Sequence, residues 1–329
     1  MGKNYVFGVD FGGTKIAFGL FGQNCVPAAS GRMETRPDEG AEKVFRRLGA
    51  ALRNLAEQVG IPAEEIAAAG LCSPGPVDLS SGKIVYIASI GWRDVPAAEL
   101  LARELGVPVV FENDANAAAF AERFYGAGRD LPDDAVLLYL TVSTGVGCGI
   151  ITGDSILHGL HDSAGELGHL CVEPDGIRCN CGNLGCLEMY ASGTAIARRY
   201  RELLPKGAER GSVTCRAVEE AARSGDALAK QAFSEAGEKL GLGVSCLVQI
   251  LDPHRIVIGG GVANAWDLFY HDMIKQAKRH VYQIFSGDIR AVRAELGQEA
   301  GLIGAAAVAW KRVRRKEWGK SQKTTEVFR

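Results

Sequence analysis

The 329-residue sequence contains no run of about 18 consecutive apolar residues, the minimum a helix needs to span a bilayer. The opening stretch, MGKNYVFGVDFGG, has neither a long apolar core nor a small-residue cleavage site, so no secretory signal is expected. Val6 stands where an N-myristoylation pattern needs Ser or Thr. Charge of one sign is also missing. The 37 Lys and Arg nearly balance 39 Asp and Glu, giving a net charge of −2 and arguing against a protein that wraps nucleic acid. The P-loop pattern GxxxxGK[ST] is absent, and no low-complexity linker interrupts the chain. The expectation is a cytoplasmic globular protein with no membrane and no nucleic-acid partner.

The composition is ordinary for that class, with 47% hydrophobic and 23% charged residues, which excludes a disordered chain. At this length about two domains are expected. Nine cysteines are an odd number, and three crowd between 179 and 186. Without an export signal, that spacing reads as metal binding rather than disulfides.

Along the chain, strands and helices alternate. Tyr5 to Phe21 reads as two strands around a Gly turn, and Ala41 to Val59 as an amphipathic helix with Val44, Leu48, Leu52, Leu55 and Val59 on one face. A strand over Ala67–Cys72, a turn at 73–76, a helix over 96–105, a strand over Val107–Phe111 and an Ala-rich helix over 115–125 follow. The pattern restarts with an apolar strand over 135–142, a second Gly turn at 144–149 and another strand. Helices are expected near 193–204, 214–223, 226–251 and 265–280. A strand at 255–258 ends on Gly259-Gly260-Gly261, and a last apolar helix covers 302–310. The basic end, 311–329, reads as a solvated tail. This is the order of an α/β protein with two similar halves.

Three apolar strands thus run into glycine turns. Glycine lets backbone N–H groups approach a phosphate closely, and an acid nearby can hold Mg²⁺. The turn at Asp10, Gly12, Gly13, Thr14 and Lys15, the turn at Thr144, Gly145 and Gly147, and the pair Gly260-Gly261 together read as a nucleotide cleft. Glu112-Asn113-Asp114 closes a strand and opens a helix. Asn113 or Asp114 serves there as an N-cap, or Asp114 serves as a general base for a hydroxyl. His169, Cys179, Cys181 and Cys186 suit a closed tetrahedral zinc site, with Cys171 as a competing ligand. Such a site is structural, and it would stiffen the loop that carries Glu166 and Glu188. The other cysteines read as small buried hydrophobes.

DFGGTK, SPGPVD, ENDANAAA, STGVGCGI, AGELGH, CNCGNLGCLE and IVIGGGV occur in this order. From about residue 5 to 310 the chain resembles the ROK family of sugar kinases and repressors, and the bacterial glucokinases within it. The resemblance implies two actin-like (ribonuclease-H-like) α/β domains with an inter-domain cleft and a structural zinc loop. It implies boundaries of 1–120, completed by a helix at 302–316, then 121–301, with a basic tail at 317–329. Asp114 would be the general base, and Gly75, Asn113, Glu166, His169 and Glu188 would bind the sugar. His169 would direct one ring nitrogen to zinc and the other to the sugar. The turns Gly12–Lys15 and Thr144–Gly147 would cradle ATP phosphates, Asp10 would help place Mg²⁺, and Gly260-Gly261 would lie by the adenosine. A homodimer or homotetramer is expected.

Two departures bear on this. Ser89 precedes Ile90-Gly91-Trp92 where the family's glucokinases often carry Asn, which leaves glucose, N-acetylmannosamine and other hexoses open as substrates. Cys148 replaces a usual Gly in the second turn, where its side chain either crowds a nucleotide or points away. Repressors of the family carry a DNA-binding segment before the first motif, which here begins at residue 10. An actin-like ATPase without a sugar is the third class, disfavoured by the Glu166, His169 and Glu188 set.

Overall fold

The computed structural model describes residues 3–205, 211 and 213–326. The chain forms two compact units. One comprises Met1–Ala121, His158–Ser163 and Gln298–Arg329; the other comprises Glu122–Leu157 and Ala164–Gly297.

The first unit is built on β1 (Tyr5–Phe11), β2 (Lys15–Phe21), β3 (Pro27–Glu34), α1 (Ala41–Gln58), β4 (Ile66–Ser73), β5 (Val77–Asp78), β6 (Lys83–Ile87), β7 (Trp92–Val95), α2 (Ala97–Leu105), β8 (Val109–Asn113) and the start of α3 (Asp114–Tyr125). Its five-stranded sheet has the order β3-β2-β1-β4-β8. β1 to β3 form an antiparallel meander, and β4 and β8 add in parallel. β5, β6 and β7 make a small separate sheet.

The second unit repeats this plan. β9 (Val136–Val142), β10 (Val146–Thr152) and β11 (Ser155–Ile156) form the meander. α4 (Glu188–Ala191), α5 (Gly193–Leu203), α6 (Cys215–Arg223) and α7 (Ala227–Leu251) follow. Then come β12 (Arg255–Gly259), α8 (Trp266–His280) and β13 (Ala291–Arg293). The sheet order, β11-β10-β9-β12-β13, matches the first strand for strand, with β12 and β13 again parallel. The two-halves expectation therefore holds at the level of topology. The last helix, α9 (Ala300–Glu326), belongs to the first unit.

Each five-stranded sheet packs against a large apolar core, and in the first unit Cys72, Ala117 and Ala305 form a separate small cluster. β4 is buried along its whole length, as expected of a strand flanked by parallel neighbours. α1 contributes Val44, Phe45, Leu48, Leu52 and Leu55 to the first core, whereas Val59, expected on the same face, follows the helix end at Gln58 and is exposed. α7 and α8 pack together over the second sheet through Phe233, Leu240, Phe269 and Met273. Among the described residues, no helix is long and apolar enough to cross a membrane.

Three expectations need correction. The strand placed at 107–111 lies at Val109–Asn113, because Pro108 has no N–H to donate and only its carbonyl joins the ladder, accepting the Ala69 N–H at 2.9 Å. β3 and the β5–β7 sheet lacked a readable alternation. The final helix does not stop at 310. With neither proline nor a left-handed glycine at that point, it runs on to Glu326, and residues 327–329 of the expected tail lie outside the described residues.

α9 lies against β1, β4 and β8 at backbone distance. A Cβ on Gly70 would run into the Ala305 carbonyl oxygen of α9, which has no room to withdraw. Gly70→Ala is therefore expected to destabilise the fold by about 3 kcal/mol or more in urea unfolding. Gly22→Ala, where nothing lies within 4 Å, is the control and should change stability by no more than about 0.5 kcal/mol.

Candidate functional site

The first glycine turn is locked from one side. Gly12 N–H donates to the Lys15 carbonyl at 3.0 Å. The buried Thr35 donates its hydroxyl to the Gly12 carbonyl at 2.6 Å and its N–H to the Thr14 carbonyl at 3.0 Å. Thr35 has no motif of its own and was missed in the sequence. Ser89 sits on this turn: a Cβ on Gly13 would lie 2.7 Å from Ser89 Oγ. Lys15 is the exposed first residue of β2.

Asp10, half-buried near the end of β1, adjoins the first turn of α9 at Gly301. Burial, and next the Asp114 carboxylate, push its pKa up to about 6. The Cys72 thiol lies 3.6 Å from Asp10 Oδ1, and burial drives that thiol well above its ordinary value. A carboxylate pressed by a second carboxylate fits a place for a divalent cation, whose charge would relieve the repulsion.

Asp114 opens α3 directly after β8, whose end is held in register by Cys72↔Glu112 and Ser73↔Asn113. The N-cap role falls to Asn113, whose Oδ1 accepts the N–H groups of Ala115 at 2.9 Å and Asn116 at 3.3 Å. Asp114 Oδ1 also accepts the Ala115 N–H, at 2.8 Å. Gly75 faces the other end of the Asn113 amide, where a Cβ would stand 3.2 Å from Nδ2.

The second unit gathers its motifs around the other turn. Glu188 Oε2 accepts the Val146 N–H at 3.0 Å and approaches Gly145 so closely that a Cβ there would strike it. Gly193 N–H donates to the Ser143 carbonyl at 2.7 Å, and the Thr194 hydroxyl donates to the Thr144 carbonyl at 2.9 Å. Gly147 already belongs to β10, paired with Thr141. Gly260 follows β12 with φ +83° and lies against the Val142 carbonyl. A cavity of about 890 Å³ opens beside this turn, lined by Thr144, Thr194, Arg201, Cys215, Gly261 and Asn264. Arg201, Cys215 and Asn264 come from helices and loops that carried no motif. Cys148 points into the core at 4% exposure, and burial raises its thiol to about 12, so it does not crowd the turn.

His169, Cys179, Cys181 and Cys186 bring one donor atom each within 4.8 Å of one another. His169 Nδ1 is 3.7 Å from Cys179 Sγ, and Cys181 Sγ is 3.6 Å from Cys186 Sγ. A tetrahedral ion with thiolate bonds of about 2.3 Å and an imidazole bond of about 2.0 Å has edges of roughly 3.6–3.8 Å, so the donor set fits. Backbone hydrogen bonding from Asn183 lowers the Cys181 thiol, while burial pushes the Cys186 thiol up to about 12. Cys171, exposed and paired with Cys186 across an isolated β-bridge, stays outside the group. His169 Nε2, on the far side of the ring, lies 3.8 Å from Glu166 Oε2.

Residues 6–312 match the ROK family. The chain belongs to that family. A glucokinase of Thermotoga maritima is 31% identical over 95% of this chain and 99% of its own length. Among solved ROK structures, a hexokinase of Thermus thermophilus is 37% identical with a TM-score of 0.80, covering 94% of this chain and 99% of its own. A ROK glucokinase of Streptomyces griseus, solved in complex with glucose and AMPPNP, is 33% identical with a TM-score of 0.78, covering 93% and 99%. Both share the α/β architecture described above.

Proposed function

We propose that this chain is an ATP-dependent hexose kinase whose first substrate is glucose, with Asp114 as the general base. The observation that carries the reading is the 33% identity to the S. griseus glucokinase across nearly the whole of both chains. The side-chain chemistry agrees with it. In this reading Asp114 takes the proton of the attacking hydroxyl, a task for a carboxylate held rigidly at a helix start. Asn113, Gly75, Glu166, His169 and Glu188 pair the remaining hydroxyls, so an analogue lacking one leaves a polar group of the site unpaired.

The turns Gly12–Lys15 and Thr144–Gly147 hold the ATP phosphates through backbone N–H groups, and the cavity beside Gly260-Gly261 receives the nucleoside. Asp10 would hold Mg²⁺, which neutralises phosphate charge when bound. Zinc would be held by His169 Nδ1, Cys179, Cys181 and Cys186, leaving Nε2 for the sugar. Its part is structural, since four protein ligands leave no open position. A homo-oligomer completes the proposal.

The test is ADP release with Mg-ATP against glucose, mannose, fructose, glucosamine, N-acetylglucosamine, N-acetylmannosamine and no sugar. Glucose is expected to give the highest kcat/KM. A dominant second sugar moves the substrate and keeps the chemistry, with Ser89 the first residue to exchange. Hydrolysis of ATP that no sugar stimulates sinks the kinase reading.

A further inference from the structure

The Glu112 carboxylate is 4% exposed, yet the proposed chemistry assigns it no work. All its contacts point one way. Oε1 accepts the Asn113 N–H at 2.9 Å and the Asn116 amide at 3.0 Å, thereby gripping both sides of Asp114. Oε2 is 2.8 Å from Nε2 of His158. His158 comes from far along the chain, in the short stretch His158–Ser163 that belongs to the first unit while its neighbours on both sides belong to the second. The same stretch is tied a second time, where Asp162 Oδ2 accepts the Leu79 N–H at 3.1 Å. His158 thus answers the one oxygen of Glu112 that the α3 start leaves over.

We propose that His158 is a positioning residue for the phosphoryl transfer: through Glu112 it fixes the backbone and side chains at the start of α3 that orient Asn113 and Asp114. The inference rests on the assignment of Asp114 as base. Its physical basis is that a buried carboxylate without a partner for one oxygen turns or draws in water, and Asn113 and Asn116 turn with it. Displacing a catalytic group by about 1 Å costs on the order of a hundredfold in rate.

The charge environment agrees. The hydrogen bond that His158 donates to Glu112 raises the His158 pKa and Asp162 adds to this, while partial burial and Lys311 oppose it. The charge-assisted part of the contact is then fully present below the ordinary histidine value of 6.5 and fades as pH rises through the raised one. Neutral imidazole still donates through Nε2.

His158→Ala, His158→Gln, Glu112→Gln and Asp114→Asn should be compared with the wild type in kcat and in KM for glucose and ATP. His158→Ala is expected to lower kcat about tenfold or more, with KM for ATP within about twofold. His158→Gln, which keeps a donor near the same place, is expected to recover kcat to within about threefold. The thermal stability gap between wild type and His158→Gln should be widest below pH 6.5 and narrow above it.

Folded His158→Ala with wild-type kcat overturns the proposal, as does an equal loss in the Ala and Gln variants. If His158→Ala does not fold, Glu112→Gln decides: loss of kcat supports the proposal and wild-type kcat overturns it. Asp114→Asn separates the two readings. Full turnover there removes the base assignment, whereas an inactive Asp114→Asn beside a fully active His158→Ala removes only the role of His158.

Discussion

Asp114→Asn is expected to lower kcat by about 10²- to 10⁴-fold while glucose binding changes by no more than a few-fold. That range corresponds to about 2.7–5.4 kcal/mol of lost transition-state stabilisation. Asn is the informative replacement. Asp114 Oδ1 accepts the Ala115 N–H, and an amide oxygen of the same size takes over that bond. Asn113 caps the helix through Ala115 and Asn116, so α3 does not depend on Asp114 for its start. The variant therefore loses its basicity while keeping the local fold. A second signature is independent of turnover. The Asp114 charge contributes to holding Asp10 up at about 6, so the Asp10 titration should move down in the variant. Carboxylate titration by NMR reads this directly, and unchanged turnover with unchanged sugar affinity would remove Asp114 as the base.

The other large effect is expected from the metal. Cys181→Ser should lose about one equivalent of zinc, lower the melting temperature by roughly 10 °C and reduce kcat at least tenfold. The thermal figure follows from about 3–5 kcal/mol lost at about 2–4 °C per kcal/mol in a unit of the size of Glu122–Leu157 with Ala164–Gly297. In the loop from His169 to Cys186, Cys179 Sγ lies 3.7 Å from His169 Nδ1 and Cys181 Sγ 3.6 Å from Cys186 Sγ, with no disulfide among them. Without an ion, three thiols and an imidazole have only weak mutual hydrogen bonds to replace it. The loss reaches the site through Glu188, two residues beyond Cys186, whose carboxylate holds the Val146 N–H at the second glycine turn. Metal content by elemental analysis and a thermal scan check both effects. Cys171→Ser is the control, and it should keep zinc, because Cys171 is not part of the donor group. Zinc-free wild type with unchanged melting and turnover would refute a structural metal.

Most of what makes this chain legible is local. A strand running into Gly12-Gly13-Thr14, an apolar strand before Thr144-Gly145, and three cysteines within eight positions are patterns whose chemistry follows from residue type and spacing. The Ala-rich start of α3 marks a helix whatever surrounds it, so Asn113 and Asp114 stand at its beginning by local rules alone. Cys148 is the opposite case. Spacing placed it in a phosphate turn, while the side it faces depends on the β10 ladder, whose register turns it into the core.

Thr35, Glu112 and His158 form a third group. Thr35 lies 23 residues from the glycine it holds, and His158 lies 46 from Glu112. No periodicity joins residues so far apart.

The α/β class, the repeated strand–turn plan, the grouping of His169 with Cys179, Cys181 and Cys186, and the family were thus legible in residue order alone. The first three rest on backbone preference or side-chain chemistry over short spans, and the family on motifs spread along the chain. Three-dimensional packing alone brings α9 back to the first unit at backbone distance from Gly70, joins residues 158–163 to that unit, and makes a buried carboxylate and a histidine meet behind Asp114. Those arrangements come from packing and from the need to pair buried polar groups, forces that act between residues adjacent in space whatever their distance along the chain.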